Sequence, residues 1–416
     1  MSSKSGKLLV IGHVWPEPLA TAAGKRMLQL LDFWQDRGAD ISFASAAIKT
    51  EYSFDLSSLG IEEIPICLND PSFDRMICKQ NPDIVMFDRF MTEEQYGWRV
   101  AEQLPNCIRI LNTEDLHSLR QARGAHIDQP PADLSRKWLE ADTTKRELAS
   151  IYRSDLSLII STFEEKWLRS KAGVPQELLA YLPFMYDTSA ITQIEKLPGY
   201  KDRRDFVFVG NGKHQPNLDA IAWLKNELWP VISGKLPDID LHIYGAYLPL
   251  NILDLNDPDT GFLVHGWIED IRSVLKNCRV NLVPLRYGAG LKGKLLEAML
   301  CGTPSIATHI GMEGISGVDD DSITRFIKNE SFTEKAIDLY CNKEVWETQR
   351  SAELEIVGRQ FSTQPHYSRI IDRLEYLSKN LFDHRHQNVV GSILSHQTLN
   401  STKYMAKWIE AKNKQI

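Results

Sequence analysis

Short apolar runs alternate with stretches of helical period along most of the chain. Residues 8–12, 41–44, 84–88, 108–111 and 156–161 form apolar runs of strand length. After the first run, Met27, Leu30, Leu31 and Trp34 recur at the i, i+3, i+4, i+7 spacing of an amphipathic helix. The pattern then restarts, with a second series of strand-like runs at 206–210, 241–245, 262–266, 280–285 and 305–308. Strand–helix alternation predicts an α/β fold with a parallel sheet covered by helices on both faces, here built twice. Between the two series, residues 187–205 are polar, carry Pro198 and Gly199 and show no period, as an interdomain linker does. The expected division is a first Rossmann-like domain at 1–190, a second at 203–360, and a helical segment at 361–416. Ligands of doubly wound sheets bind at the carboxyl ends of the strands, so two facing sheets define a cleft.

Beyond residue 360 the strand pattern stops. Ile370, Ile371, Leu374 and Leu377 line one side of a helix over 361–382. Residues 389–416 are polar and basic, with Tyr404, Met405, Trp408 and Ile409 at helical spacing. This is either a terminal helix packed on the domain or one that binds a surface.

The 416 residues suffice for two cores, and 43% hydrophobic with 25% charged residues is a globular composition. A net charge of -7 argues against a general nucleic-acid binder, which needs a basic face to displace counterions. The six cysteines include no Cys-x-x-Cys pair or zinc spacing; Cys67, Cys107 and Cys278 adjoin apolar runs and are expected as buried, reduced thiols. The apolar run at 8–11 is too short for a secretory leader, and no run reaches the ~18 residues of a membrane span. The expected location is the cytoplasm, with peripheral contact at the inner face of a membrane left open.

The richest chemistry lies at 283–308. There the run ending at Leu285 meets Arg286, Gly288, Gly290, Leu291, Lys292 and Lys294, then a helix with Leu291, Leu295 and Met299 on its buried side, stopping at Gly302 and Pro304. Small residues admit backbone close to a ligand, a helix N-terminus offers free N–H groups, and the lysines add charge: a diphosphate site. Glu297 lies off the apolar face, where a carboxylate can accept from two ribose hydroxyls. The competing reading is a glycine-rich turn followed by a solvated glutamate.

Gly288-Ala-Gly-Leu-Lys-Gly-Lys-Leu-Leu-Glu-Ala-Met299, continuing to Cys301-Gly-Thr-Pro304, resembles the donor-site signature of GT-B glycosyltransferases, especially the bacterial group similar to glycosyltransferase family 4. Residues 206–211 with His214-Gln-Pro-Asn217 resemble the opening strand and loop of that donor domain, and Gly311-Met-Glu-Gly-Ile315 the loop near donor sugar and phosphates. The resemblance spans about residues 7–360. It implies two Rossmann-like domains facing a cleft, with Gly290 and Lys292 at the diphosphate and Glu297 at the ribose. Many members carry a second Glu eight positions before the ribose carboxylate; here that position is Ala289. Retention of anomeric configuration is the outcome the resemblance favours.

In the first half, 8–12 leads into His13 and the small-residue loop Ala22-Ala23-Gly24. By resemblance this loop touches phosphate or acceptor; Gly24 also reads as a helix start. His13 is either a satisfied structural imidazole or a general base. After 108–111 come Asp115, His117 and Arg120, with His117 best matching the family histidine beside the donor sugar, Asp115 a second carboxylate candidate and Arg120 an anion partner. The bland alternative is a helix start capped by Thr113 or Asp115. Asp88-Arg89-Phe90 ends another strand and is a weaker cleft candidate. Ser161 with Glu164 and Glu165 reads as a capping box. The Asp238/Asp240 and Asp257/Asp259 pairs lie in turn-like stretches, so neither an essential metal nor a resident cofactor is expected. Diphosphate charge falls instead to Lys292, a helix dipole, Arg286 and Lys213, beside Gly210.

The expectation is a glycosyltransferase taking a nucleotide-sugar donor to a glycan, lipid-linked or other hydroxyl acceptor, in bacterial surface polysaccharide or glycoconjugate synthesis. The rivals are a sugar-nucleotide epimerase or phosphorylase on the same frame, and a non-catalytic nucleotide-sugar-binding protein. A dehydrogenase is disfavoured because no Gly-x-Gly-x-x-Gly follows the first strand.

Overall fold

The computed structural model describes residues 6–127, 131–187, 197–315 and 329–414. It contains two wholly parallel sheets. The first runs β3-β2-β1-β4-β5-β6-β7, comprising Lys7–Gly12 (β1), Asp40–Ser45 (β2), Glu62–Pro65 (β3), Ile84–Asp88 (β4), Ile108–Asn112 (β5), Leu156–Ile159 (β6) and Leu179–Tyr181 (β7). The second runs β10-β9-β8-β11-β12, comprising Arg204–Val209 (β8), Leu241–Tyr244 (β9), Phe262–Gly266 (β10), Cys278–Val283 (β11) and Ser305–Ala307 (β12). All ten runs read from the sequence are strands. The two that went unread, β3 and β7, are the edges of the first sheet. Glu62-Glu63 and the three-residue length of β7 give neither much periodicity to detect.

Strand alternation sorts the first core. Leu8 and Val10 pack with Met27, Leu30 and Leu31 of helix Ala22–Asp36, whereas Leu9 and Ile11 face Tyr96 and Val100 of helix Phe90–Gln103. In each sheet the chain order reverses once, between β1 and β4 and between β8 and β11. Ligands of such sheets sit at this reversal.

The segment after residue 360 folds back onto the first domain. Tyr186 N donates to Phe361 O at 2.8 Å and Thr363 N to Tyr186 O at 3.2 Å, so outgoing and returning chains cross side by side. Helix Thr363–Gln387 then buries Ile370, Leu374 and Leu377 against Leu8, Val10 and Met27. Part of the expected linker, 188–196, lies outside the described residues; its last two residues, Arg204 and Asp205, open β8. Cys67 is exposed, contrary to expectation, because it follows β3 at the sheet edge; Cys107, Cys278 and Cys301 are buried, and all six thiols are free.

One buried acid makes the second domain's stability respond to pH. Glu353 Oε1 accepts from Ser305 N at 3.0 Å and Gln349 Nε2 at 2.9 Å, and burial pushes its carboxyl up to about 8. The folded chain thus holds a proton that the unfolded chain releases near the ordinary carboxylate value of about 4.3. Stability from this group is greatest below that value and is lost as pH rises towards 8. Between pH 5 and 8 the melting temperature of a Glu353→Gln variant should fall less than that of the parent chain; equal slopes in scanning calorimetry would refute the assignment.

Candidate active site

The floor of the cleft is a buried polar cluster at the carboxyl ends of β4 and β5. Asn112 Nδ2 donates to Asp88 Oδ1 at 3.3 Å and to Glu114 Oε1 at 2.8 Å, while Arg26 Nε donates to Asn112 Oδ1 at 3.3 Å. Burial and the nearby Asp88 raise Glu114 to about 7, opposed by Arg26. Arg26 and Glu114 were not singled out from sequence, since Arg26 stands within the amphipathic run of a helix. His13 follows β1 with its N–H at 3.4 Å from Asp88 Oδ2; burial and Arg89 lower its pKa.

Above this floor stands the loop from β5 into helix His117–Ala125. Asp115 pairs with Arg120 and lies 3.3 Å from His117 Nε2. Burial lowers His117 to about 4 despite Asp115, so its imidazole is neutral at neutral pH. Burial opposes ionisation of Asp115, but the Arg120 charge and hydrogen bond prevail and its pKa is lowered. Arg120 therefore serves Asp115 before any ligand anion. Neither Thr113 nor Asp115 caps the helix: the N-cap is Leu116, and the helix-start amides of His117 and Ser118 donate to buried Glu147 at 2.9 and 3.1 Å.

The facing wall is the turn before helix Gly293–Leu300, which opens two residues later than the sequence pattern suggested, with Lys292 as N-cap. Gly290 has φ 66°, and a Cβ there would lie 2.8 Å from Asp115 Cβ. A Cβ on Gly293 would come 2.9 Å from Ala22 Cβ. The start of helix Gly293–Leu300 thus meets the start of Ala22–Asp36 across the cleft. Ala23 is half-buried in the opening turn of that first helix. Gly24 serves packing, as its Cβ would strike Glu17 N at 2.4 Å.

Three contacts tie the walls together. Arg123 of the first domain donates to both carboxylate oxygens of Glu313 at 2.7 Å and to Gly288 O at 2.7 Å. Glu297 accepts from Lys25, from Arg272 Nε at 2.8 Å and from Tyr186 OH at 3.3 Å, so it is paired rather than solvated. Glu164 Oε1 accepts from Leu116 N and Gly290 N, both at 2.8 Å. The expected capping box is not formed: Ser161 is the N-cap without a side-chain bond, because Glu164 reaches across the cleft. Burial and Asp115 raise Glu164 to about 8, leaving it protonated at neutral pH.

Lys292 and Lys294 are both enclosed. Lys292 Nζ donates to Gly290 O at 2.9 Å, and Lys294 Nζ to Asn217 Oδ1 at 2.6 Å. Burial lowers them to about 8 and about 7. Leu291 is buried beside them. Gly210 follows β8, where a Cβ would strike Asn217 at 2.9 Å. Two residues expected near phosphate are otherwise engaged: Arg286 pairs with Asp219, at 2.9 Å through Nε, and Lys213 Nζ sits 3.4 Å from the centre of the Tyr247 ring. Ala289 is buried, 7% exposed, and packs with the first domain's core. Of the Asp-x-Asp pairs, Asp240 alone joins a metal-like group, with Asp205 and His242 ligand atoms within 4.8 Å. That group is at the amino ends of β8 and β9, at the opposite end of the sheet from the cleft.

Two doubly wound domains closing on one cleft form a GT-B frame. The glycosyltransferase from Rickettsia africae ESF-5 superposes with TM-score 0.62 at 12% identity over 91% of this chain and 100% of that one. Sucrose-phosphate synthase from Thermosynechococcus elongatus gives 0.63 at 15% identity, over 89% and 99% of the two chains. Anabaena HepE in complex with UDP-glucose gives 0.64 at 14% identity, over 89% and 100%. Residues 203–342 match the family described as Glycosyl transferases group 1, so the second domain carries a segment similar to that family, on a chain whose fold is that of the GT-B neighbours. A search of curated proteins found no match in sequence. No helix among the described residues is long and apolar enough to cross a membrane.

Proposed function

We propose that the chain transfers a sugar from a nucleoside diphosphate donor, held by the second domain, to a hydroxyl acceptor presented by the first. The acceptor class is a glycan or lipid-linked precursor of a bacterial surface polysaccharide or glycoconjugate. The observation that carries the reading is the meeting of two helix N-termini at Ala22 and Gly293 beside the enclosed ammonium groups of Lys292 and Lys294. Helix-start amides and two lysines match a diphosphate, and an enclosed site strengthens each interaction. Glu297 receives the ribose hydroxyls. HepE, of the same fold, is described in complex with UDP-glucose, which makes a uridine diphosphate sugar the first donor to try.

In the reaction the anomeric carbon's bond to the phosphate oxygen breaks, and its electron pair leaves with the diphosphate. The acceptor oxygen bonds to that carbon, and its proton passes to the departing phosphate oxygen, the course that accompanies retention. Neutral His117, fixed by Asp115, with His13 nearby, orients the acceptor; Lys292 and the helix starts stabilise the leaving charge. Gly290 N donates to the Glu164 carboxyl, so a diphosphate that takes this amide must displace that carboxyl. No resident metal or cofactor is invoked.

Binding is tested by titration calorimetry with UDP, GDP and ADP. A diphosphate beside Lys292 and Lys294 restores their protonation, so binding takes up protons and affinity falls as pH rises through about 7–8. The apparent enthalpy at pH 8 should vary with the buffer's ionisation enthalpy, and less so in Lys294→Met. Absence of any nucleoside diphosphate binding refutes the site. Donor turnover without acceptor assigns the chain to epimerase chemistry, and binding without turnover over an acceptor panel to a non-catalytic role.

A further inference from the structure

The last helix, Val389–Asn413, has two faces that do different things. Its inner face is fixed to the first domain. Gly391 lies so close to the neighbouring helix that a Cβ would stand 2.2 Å from Tyr152 O. Asn388 Nδ2 donates to the same carbonyl at 2.7 Å. Further along, Ala406 is buried, Glu410 pairs with Arg99, and Lys403 pairs with Glu102 at 2.7 Å. These contacts hold the helix on the outer side of helices Phe90–Gln103 and Asp142–Arg153.

The outer face is apolar where solvent should favour polar residues. Val389, Val390, Ile393, Tyr404, Met405 and Trp408 are exposed, Tyr404 by 68% and Trp408 by 61%. At about 100° per residue these six form two patches, 389–393 and 404–408, within one arc of roughly 160° opposite the packed face, and the sequence between them, 394–403, is mostly polar. Single exposed apolar residues need no explanation, but two aligned patches, a stripe broken at its middle, do.

The charges around the stripe select its occupant. Between residues 389 and 414 the one acid is Glu410, already paired with Arg99 on the inner side. Lys407 and Lys412 are exposed, and Lys412 Nζ lies 5.3 Å over the Trp408 ring. The outer face is therefore apolar and cationic with no carboxylate, in a chain of net charge -7. A second copy would offer these lysines no opposite charge on the same face. A bilayer with anionic headgroups offers both an apolar layer for the stripe and phosphates for the lysines. Trp and Tyr suit the boundary, with an apolar ring and a polar edge.

We propose that this outer face lies in the headgroup layer of an anionic phospholipid membrane, with Tyr404 and Trp408 as anchors and Lys407 and Lys412 as headgroup contacts. The helix lies along the surface and does not span it. Bound this way, the first domain rests on the membrane; if the reading under Proposed function holds, a lipid-linked acceptor then reaches the cleft without leaving the bilayer.

The test is co-sedimentation of the full chain with vesicles of phosphatidylcholine alone, or with about one-third phosphatidylglycerol. Binding is expected for the anionic vesicles and should weaken with added salt. Tyr404→Ser with Trp408→Ser, and separately Lys407→Glu with Lys412→Glu, should each lower the partition coefficient roughly tenfold or more. All four side chains are on the outer face, so melting temperature and UDP affinity should stay at the parent values; membrane binding is thereby scored separately from donor binding. No partition onto anionic vesicles, or partition unchanged in both variants, overturns the proposal. So does a dimer in light scattering that the aromatic variant converts to monomer, because the stripe then belongs to a second copy.

Discussion

Glu297→Ala should lower affinity for UDP about 30-fold and abolish the preference for UDP over its 2′-deoxy analogue. Hydrogen bonds from ribose hydroxyls to a carboxylate contribute roughly 1.5–3 kcal/mol. Glu297 also holds Lys25 and Arg272 from opposite walls of the cleft. Removing it leaves two cations facing one another, and burial already lowers the pKa of Lys25. The alanine variant should therefore also melt lower. Glu297→Gln separates the effects, because an amide oxygen can still accept from Tyr186 or Lys25. Calorimetric titration of both variants with the two nucleotides is the measurement. Should the parent's ribose preference survive in the alanine variant, Glu297 is a structural bridge and not a donor contact.

The second large effect is expected at Arg123. Its fork onto Glu313 and its bond to Gly288 O join the domains where the glycine-rich turn begins. Both partners are largely enclosed, with side chains 9% and 10% exposed. Removing one member of a buried pair costs about 3–5 kcal/mol, mainly because the other charge is left without its partner. Here that cost falls on closing the cleft. Arg123→Ala should lower kcat/KM by about 100-fold or more and enlarge the radius of gyration in solution scattering. The double variant Arg123→Ala with Glu313→Ala should recover part of the loss, since no charge is then stranded. An unchanged radius together with unchanged kinetics would show that the fork does not govern closure.

Much of the frame was legible before any coordinates. Each strand run in the middle of a sheet is nearly continuous apolar sequence, because parallel strands are buried on both faces. Leu9 and Ile11 face one core, Leu8 and Val10 the other. The glycine-rich turn at 288–290 was legible for a similar reason: Gly290 has a positive φ that disfavours side chains, and it has Asp115 against its Cα.

What escaped were pairings across large sequence separations. Glu164 looked like a helix cap, and its local spacing still fits one; the amide it meets on Gly290 is 126 residues away. Arg123 and Glu313 are 190 positions apart. Arg286 and Lys213 looked available for phosphate, yet a neighbouring carboxylate holds one and an aromatic ring the other.

By itself the sequence determined the two parallel sheets, the glycine turn before helix Gly293–Leu300 and the apolar period of the last helices, since each depends on neighbours within a few residues. Only the tertiary structure decided which charges meet across the cleft, that Glu297 is paired, and that the last helix keeps an apolar face in solvent. The physical reason is that periodicity records whether a face is apolar, whereas ion pairing and exposure depend on which distant surface arrives opposite it.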